Sequence, residues 1–137
     1  MFTVFDQARN FKIAAERCFE VRPLNEKQFE CLMIPAIVNA SFACELFLKA
    51  IIDARGTIRK KEHSLKELFG LLPYQDNESI KENLEDADFL AELDAISDSF
   101  VKWRYLHEKT DEESSLNIDF LLRFMNTLYK ISCCFYD

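Results

Sequence analysis

The chain has 137 residues, of which 49% are hydrophobic and only two are glycine, and its formal net charge is −7. This length fits one domain, and so few glycines exclude hairpin-rich β architectures and glycine-rich phosphate-binding loops. The negative charge excludes general affinity for the nucleic-acid backbone, which comes from lysine and arginine, so any contact with RNA must be local. We therefore predict an all-α protein with a single domain over residues 1–137.

The cysteines and the longest apolar segment indicate a cytoplasmic protein. The five cysteines form no C-x-x-C pair and lie in apolar stretches, which favours reduced core thiols over a disulfide or zinc framework. The N-terminal residues mix charges and do not form a secretory signal. Residues 32–52 are long enough to cross a membrane, but they contain Glu45 and Lys49, and each charge costs about 2.5–3.5 kcal/mol near a bilayer centre. We therefore interpret this segment as a buried helix.

Two helices are predicted in the first 56 residues. Apolar residues recur every three to four positions over residues 2–19, which is typical of a helix with one aromatic face, and Pro23 is expected to end it. The second helix is expected to begin at Asn25 as its N-cap and to end just before Gly56. Pro35 falls inside this span, so we expect it to kink or divide the helix.

A line of polar side chains follows the second helix. Ser41, Glu45, Lys49 and Asp53 succeed one another at steps of four along an otherwise apolar rod. A helix that is apolar on nearly every side must be covered on nearly every side, so we expect it to be central in a bundle or shared with a dimer interface. Glu45 precedes Lys49 in the favourable order of an i,i+4 ion pair. The line is either a satisfied polar seam or part of a binding site.

The concentrated positive charge of the chain lies between residues 55 and 66. Its basic residues are Arg55, Arg59, Lys60, Lys61 and Lys66. We interpret this segment as a loop that enters a short helix, which begins at His63 or Ser64 and is closed by Pro73. The loop is either a solvated basic surface or a phosphate contact, and His63 either braces the short helix or acts as a base.

The second half of the sequence predicts two more helices. Residues 76–98 carry nine acidic side chains and a single lysine, a composition that would repel RNA. An apolar stripe from Phe89 to His107 predicts a helix of about five turns with the acids on its outer side. The last helix is expected to begin near Ser114 or Ser115 and to carry an apolar face as far as residue 135.

Arg104 and His107 are the side chains best suited to catalysis. They are i,i+3 neighbours near the C-terminal end of a predicted helix. An arginine holds phosphate through its forked donors, and a histidine that titrates near neutrality can act as acid or base on a ribose hydroxyl, which would suit RNA cleavage without a metal. The alternative is structural, because a helix C-terminus favours both residues and Arg104 can pair with Glu45 or Glu108. We recognise no cofactor motif and expect no metal site.

Three segments of the sequence carry motifs, namely FACELFLKAIIDARG at 42–56, KEHSLKELFGLL at 61–72 and FVKWRYLHE at 100–108. In this order and spacing they resemble the HEPN family (higher eukaryotes and prokaryotes nucleotide-binding). The residues that match the motifs of the family are Ala43, Glu45, Leu46, Leu48 and Lys49, then His63, Leu65 and Leu68, and finally Arg104, Tyr105 and Glu108. The resemblance covers about residues 5 to 135.

The resemblance implies an up-and-down bundle of four to five main helices plus a short helix, which often dimerises. Members of the family occur in prokaryotic toxin and antiphage systems and beside minimal nucleotidyltransferases. Many are metal-independent ribonucleases whose arginine is followed after four to six residues by a histidine, with the motifs of two copies meeting in one cleft. Here only two residues separate Arg104 from His107. The resemblance therefore carries Arg104 over as a phosphate-binding residue but leaves no intact nuclease motif.

Three functions are compatible with these patterns. In the first, a homodimer binds a nucleotide, an RNA phosphate or a partner protein through a cleft around Arg104. The residues expected to border that cleft are Glu45, Lys49, His63, Tyr105 and Glu108. In the second, Arg104 and His107 form a metal-independent ribonuclease of the toxin or antiphage type, with an antitoxin as partner. In the third, the domain is the structural partner of a minimal nucleotidyltransferase. Dimerisation is expected from the apolar helix at 34–54 and the 13 phenylalanines.

Overall fold

The computed structural model describes residues 1–30, 32–59, 64–97 and 117–137. Six helices lie in these residues: α1 (Val4–Cys18), α2 (Met33–Ala54), α3 (Leu65–Gly70), α4 (Tyr74–Leu84), α5 (Phe89–Ile96) and α6 (Ile118–Tyr136). The same ranges contain no strand longer than an isolated bridge. The prediction of an all-α helical bundle is confirmed.

Helix α1 begins with a capping box and packs antiparallel to α2. The Asp6 amide donates to the Thr3 hydroxyl at 3.1 Å, and the Thr3 amide donates to the Asp6 carboxylate at 2.8 Å. The Phe5 ring lies 6.0 Å from that of Phe47, and the Phe11 ring lies 4.6 Å from that of Phe42. The later phenylalanine of α1 contacts the earlier phenylalanine of α2, so the two helices run in opposite directions.

The connection from α1 to α2 differs from the prediction. Helix α1 ends at Cys18, before Pro23, and Asn25 does not cap the second helix. Instead, Pro23 and Phe29 form an antiparallel bridge, and the Asn25 side chain accepts a hydrogen bond from the Lys27 amide at 2.9 Å. An asparagine side chain satisfies a turn as well as it satisfies a helix start, so local sequence did not decide between them.

Pro35 and Gly56 mark the two ends of α2. The helix starts at Met33, so Pro35 lies in its first turn, where the missing amide hydrogen is not needed and no kink results. The predicted kink or division at Pro35 is therefore wrong. Gly56 has a φ of 73°, and the Thr57 amide beyond it donates back to the Ile52 carbonyl at 3.1 Å. The predicted stop at Gly56 is confirmed.

Helix α2 is the centre of the core, as expected. Most of its apolar side chains from Ala36 to Ile52 are buried, and the Tyr136 hydroxyl of α6 donates to the Ala50 carbonyl at 2.7 Å. In the described part of the chain, α2 is the helix long and apolar enough to cross a membrane. However, 72% of its most apolar 18-residue window is buried in its own bundle, which supports the interpretation as a core helix.

The acidic region forms two helices where the sequence suggested one. Glu85 adopts a left-handed conformation with a φ of 49° and ends α4, and α5 begins four residues later at Phe89. The acids therefore do not all coat one helix, and Asp76 is buried. The part of the predicted five-turn helix that is described ends at Ile96, and its remainder to His107 lies outside the described residues.

Helix α6 begins at Ile118, a few residues later than predicted. The Asn117 side chain accepts from the Phe120 amide at 2.9 Å and is the N-cap. Ser114 and Ser115 lie outside the described residues. Phe120 continues the core, since its ring lies 5.8 Å from that of Phe89, which in turn lies 5.1 Å from that of Phe69.

Candidate functional site

The polar line on α2 contains a buried ion pair. Lys49 Nζ lies 3.1 Å from Glu45 Oε2, and the two side chains are only 12% and 8% exposed. Ser41, one turn earlier, is also buried, and none of these three residues lacks an interaction partner. The i,i+4 pair expected from the sequence is therefore formed, in the middle of the most apolar helix of the chain.

Burial makes this ion pair costly to form. Removing two charges from water costs several kcal/mol per ion, which their attraction repays only with good geometry and further hydrogen bonds. Apolar residues of similar volume at Glu45 and Lys49 would often be equally stable or more stable. Glu45 and Lys49 are two of the predicted site residues, so the pair is the described part of a candidate site.

The charged row continues past the pair to Arg59. Arg59 Nε donates to Asp53 Oδ1 at 2.9 Å, and its Nη2 lies 3.3 Å from Oδ2, so the contact is two-pronged. The hydrogen bonds to Asp53 raise the pKa of Arg59, and the negative charges of Asp53 and Glu45 add to the rise. Glu45, Lys49, Asp53 and Arg59 together are electrically neutral. An anion site at this row therefore needs at least one more cation.

A second ion pair fixes the end of α2 to α4. Arg55 Nε and Nη2 donate to the two carboxylate oxygens of Asp76 at 2.9 and 2.8 Å, and the Asp76 side chain is 6% exposed. The Arg55 guanidinium also lies 4.8 Å from the centre of the Phe135 ring. The hydrogen bonds to Asp76 raise the pKa of Arg55. The geometry is that of a structural clamp.

These pairs weaken the interpretation of the basic loop as a phosphate contact. Arg55 and Arg59 are both held by carboxylates, and Lys66 lies 3.4 Å from Asp94 on the surface. Lys60 and Lys61 lie outside the described residues. Among the described cations of the loop, all three therefore have acidic partners.

The other predicted site residues fall where the structure describes nothing. His63, Arg104, Tyr105, His107 and Glu108 belong to residues 60–63 and 98–116, which lie outside the described ranges. Their roles stay predictions. Of the predicted site, the described residues bring together Glu45 and Lys49.

Ser97, which the sequence did not single out, fixes the chain beside these ranges. Ser97, at the end of α5, donates from its hydroxyl to the Leu93 carbonyl at 2.7 Å and accepts from the Lys66 amide at 3.1 Å. The start of α3 and the end of α5 are thus joined. Because Ser97 and Lys66 are 31 residues apart, no local pattern could have shown the contact.

A described cavity between α4 and α5 is unsuited to a phosphate. It has a volume of about 390 Å³ and lies where α4 gives way to α5. Lys81, Asp86, Asp88, Phe89 and Leu90 line it together with two alanines. Two carboxylates against one ammonium would repel an anion. Within the described ranges, no group of three or more histidine, cysteine or acidic side chains is arranged to hold a metal ion.

A model of the HEPN domain family matches residues 3–132 of the chain. The match runs from the cap of α1 through most of α6 and includes all three segments that carry the resemblance. Comparisons with curated proteins and with solved structures find no significant match. The family relationship therefore extends over the whole domain and does not depend on one motif.

Proposed function

The chain belongs to the HEPN domain family, and from this premise we propose that it is a homodimer that binds the phosphate of a nucleotide or RNA in a cleft around Arg104. Membership of the family supports a nucleotide-binding, RNA-binding or nuclease-like helical protein. The observation that carries the proposal is the Glu45–Lys49 ion pair, which is buried in the central helix at 3.1 Å.

Arg104 would add a net positive charge to the row formed by Glu45, Lys49, Asp53 and Arg59. The described row from Glu45 to Arg59 is neutral, so a guanidinium from Arg104 would make the site positive. A guanidinium binds phosphate through two parallel hydrogen bonds, whereas a lysine ammonium acts as a point charge. In the proposed site, Arg104 holds the phosphate, Lys49 supplies the second positive charge and Glu45 keeps Lys49 in place. His63, Tyr105 and Glu108 border the cleft.

Binding is proposed instead of cleavage because of the spacing of the sequence motif. Two residues separate Arg104 from His107, where ribonucleases of the resembled family have four to six. Lys109, Thr110 and Asp111 occupy the positions at which a histidine would complete the motif. Lysine, threonine and aspartate differ from histidine in that their ordinary side chains do not titrate near neutrality, which is what suits histidine to general acid–base catalysis.

Isothermal titration of the full chain with adenine nucleotides and with a short 5′-phosphorylated RNA tests the proposal. Arg104→Ala should weaken binding by about tenfold or more, because it removes a charge-assisted hydrogen-bond donor. Arg9→Ala is the matched control, since this half-exposed arginine pairs with Asp6 on α1 and should leave the affinity unchanged. Equal affinity of wild type and Arg104→Ala would show that Arg104 does not bind the phosphate. Binding of a partner protein without any nucleotide or RNA binding would favour the structural alternative.

A ribonuclease is the second candidate, favoured by the i,i+3 placement of Arg104 and His107. In that case the purified chain should cut RNA in the presence of EDTA, and His107→Ala should abolish the cut. Its expression alone should also slow growth. If His107→Ala cleaves at the wild-type rate, His107 has no catalytic role.

A further inference from the structure

The connection between α1 and α2 forms a small ordered hairpin, which we call the α1–α2 hairpin (residues 21–30). Besides the Pro23–Phe29 bridge, the Leu24 amide donates to the Gln28 carbonyl and the Glu30 amide donates to the Arg22 carbonyl, both at 2.8 Å. Side chains alternate between the two faces of a β-ribbon. Val21, Pro23 and Phe29 therefore share one face, and this face is apolar.

Apolar side chains that the molecule leaves exposed concentrate at this hairpin and at the start of α2. Of the twelve large hydrophobic residues exposed in the described part of the chain, six lie between positions 21 and 34. These six, the hairpin surface, are Val21, Leu24, Phe29, Leu32, Met33 and Ile34. Val21 is 74% exposed and Phe29 is 64% exposed. Val21, Leu32 and Met33 line one groove together, and a contiguous apolar patch of this kind is a candidate for partner binding.

A groove links part of the hairpin surface to the end of α1. Val21, Leu32 and Met33 line it together with Cys18 and Phe19, and its volume is about 120 Å³. Glu20 and Glu30 stand at the same groove. The site can thus accept an apolar side chain from a partner while charged groups surround it.

The rest of α2 is mostly covered within its own chain. Most of its apolar side chains from Ala36 to Ile52 are buried in the same chain, and Val38 and Phe42 are half-buried. The body of α2 therefore exposes less apolar surface than its start does. Leu32, Met33 and Ile34 project beyond this buried stretch.

Positive and negative charges around the hairpin surface are equal in number, so the charges of one copy can pair with those of a second copy. The charged residues of this segment are Arg17, Glu20, Arg22, Glu26, Lys27 and Glu30, three of each sign. In a two-fold interface the same patch meets itself, so each cation can face an acid of the other copy. By contrast, residues 74–97 hold eight acids and one lysine and would repel their own copy.

We propose that a second copy of this chain covers the hairpin surface. This names the dimer surface of the proposed function and so rests on it. A stable interface buries about 800 Å² per partner. In the proposed dimer the exposed parts of the six apolar residues supply the centre of this area, and the charged residues around them supply the rim.

Light scattering of the full chain across the micromolar range tests the proposal. Val21→Ser and Phe29→Ser should each raise the dimer dissociation constant by about tenfold or more, because a two-fold interface loses each anchor twice. Leu90→Ser is the matched control, since Leu90 is 59% exposed on α5, and it should leave the dimer unchanged. All substituted positions are exposed, and equal far-UV circular dichroism shows that each variant is folded.

Charge reversal gives a second measurement that does not depend on packing. Arg22→Glu makes the rim of both copies negative and should weaken the dimer, most strongly at low salt. Adding Glu20→Arg restores the balance and should restore the dimer. Dimers that persist in Val21→Ser, Phe29→Ser and Arg22→Glu would overturn the assignment of this surface while leaving the homodimer intact. A wild type that is monomeric throughout would overturn both the surface and the homodimer.

Discussion

At the scale of single residues, Glu45 and Lys49 stand out because they are charged side chains in an apolar environment. Each is nearly inaccessible in a helix whose neighbouring side chains are apolar. The local sequence predicted the contact, since residues four apart on a helix are neighbours, but it could not show that the pair is buried. A surface ion pair contributes little to stability, whereas a buried pair has a large desolvation cost that its attraction must offset.

Substitution of one partner and of both should therefore have opposite effects on stability. Lys49→Met leaves a carboxylate buried without its ion-pair partner and should lower the free energy of unfolding by about 3 kcal/mol or more. Glu45→Met combined with Lys49→Met removes both charges and should unfold within about 1 kcal/mol of wild type. Urea unfolding followed by circular dichroism measures both.

The surface pair of Lys66 and Asp94 is the control for this comparison. Both side chains are more than half exposed, so Lys66→Met should change stability by less than about 1 kcal/mol. A double variant at Glu45 and Lys49 as unstable as Lys49→Met would show that the pair stabilises the fold.

Cysteine reactivity should follow burial. Complete burial raises the pKa of the Cys44 thiol, so the nucleophilic thiolate is suppressed, whereas Cys134 is exposed at the end of α6. Iodoacetamide at mildly alkaline pH should modify Cys134 rapidly and Cys44 only after denaturation, as mapped by peptide mass spectrometry. Labelling of Cys44 in the native protein at the rate of Cys134 would contradict the buried position of α2.

At the scale of elements, the capping box of α1 is the best-defined local device. Thr3→Ala removes the side-chain acceptor for the Asp6 amide and should lower stability by about 1 kcal/mol, as measured by thermal or urea unfolding. Lys27→Ala, an exposed change in the α1–α2 hairpin, is the control and should have a smaller effect.

The same box predicts a dependence on pH. Hydrogen bonds from Thr3 lower the pKa of Asp6 below its ordinary value of 3.8 in the folded state. The folded state therefore binds this proton less readily, so the carboxylate stabilises α1 fully above about pH 4 and loses this effect as the pH falls through the folded pKa. The stability difference between wild type and Asp6→Asn should shrink on acidification. If the stability difference between wild type and Asp6→Asn grew below pH 4, the proposed lowering of the Asp6 pKa would be contradicted.

The clamp between α2 and α4 should govern the local stability of α4. Asp76→Ala removes both hydrogen bonds from Arg55 and should speed amide hydrogen exchange in α4 more than in α1. Glu82→Ala is the control on the same helix, because Glu82 is exposed. Unchanged exchange in α4 of Asp76→Ala would show that the apolar contacts of the helix suffice.

Comparison of elements shows which patterns in the sequence were informative. Periodicity located the apolar faces of α1, α2 and α6, and Gly56 marked a true helix end. The start of α2 and the whole of α4 were missed, whereas α5 begins at Phe89 as the apolar stripe predicted. Asn25 is as suitable for a turn as for a cap, and nothing in the acidic stretch signals that Glu85 adopts a left-handed conformation.

Contacts between residues far apart in the sequence could not be predicted from local sequence patterns. Arg55 and Asp76 are 21 residues apart, and the sequence suggested that both were surface charges, one in a basic loop and one in an acidic coat. Their pairing depends on the turn between α3 and α4. The candidate site was therefore predictable only where its residues lie on one helix.

At the scale of the whole molecule, charge is unevenly distributed. Residues 74–97 hold eight acids and one lysine, a net charge of −7, which equals the net charge of the full chain, so the remaining residues are neutral together. An anionic ligand should therefore avoid α4 and α5. The hairpin surface lies on other elements than these acidic helices, so a dimer through it does not bring the two acidic segments into the interface.

The most direct test of the proposed site is phosphate binding by a folded protein that lacks the pair on α2. Isothermal titration with 5′-phosphorylated RNA should compare wild type with the double variant Glu45→Met and Lys49→Met, once unfolding has shown equal stability. We expect the affinity to fall by about tenfold or more, since a charged donor to the phosphate is lost. Unchanged affinity in the double variant would contradict the account, because the pair would then have no part in the site.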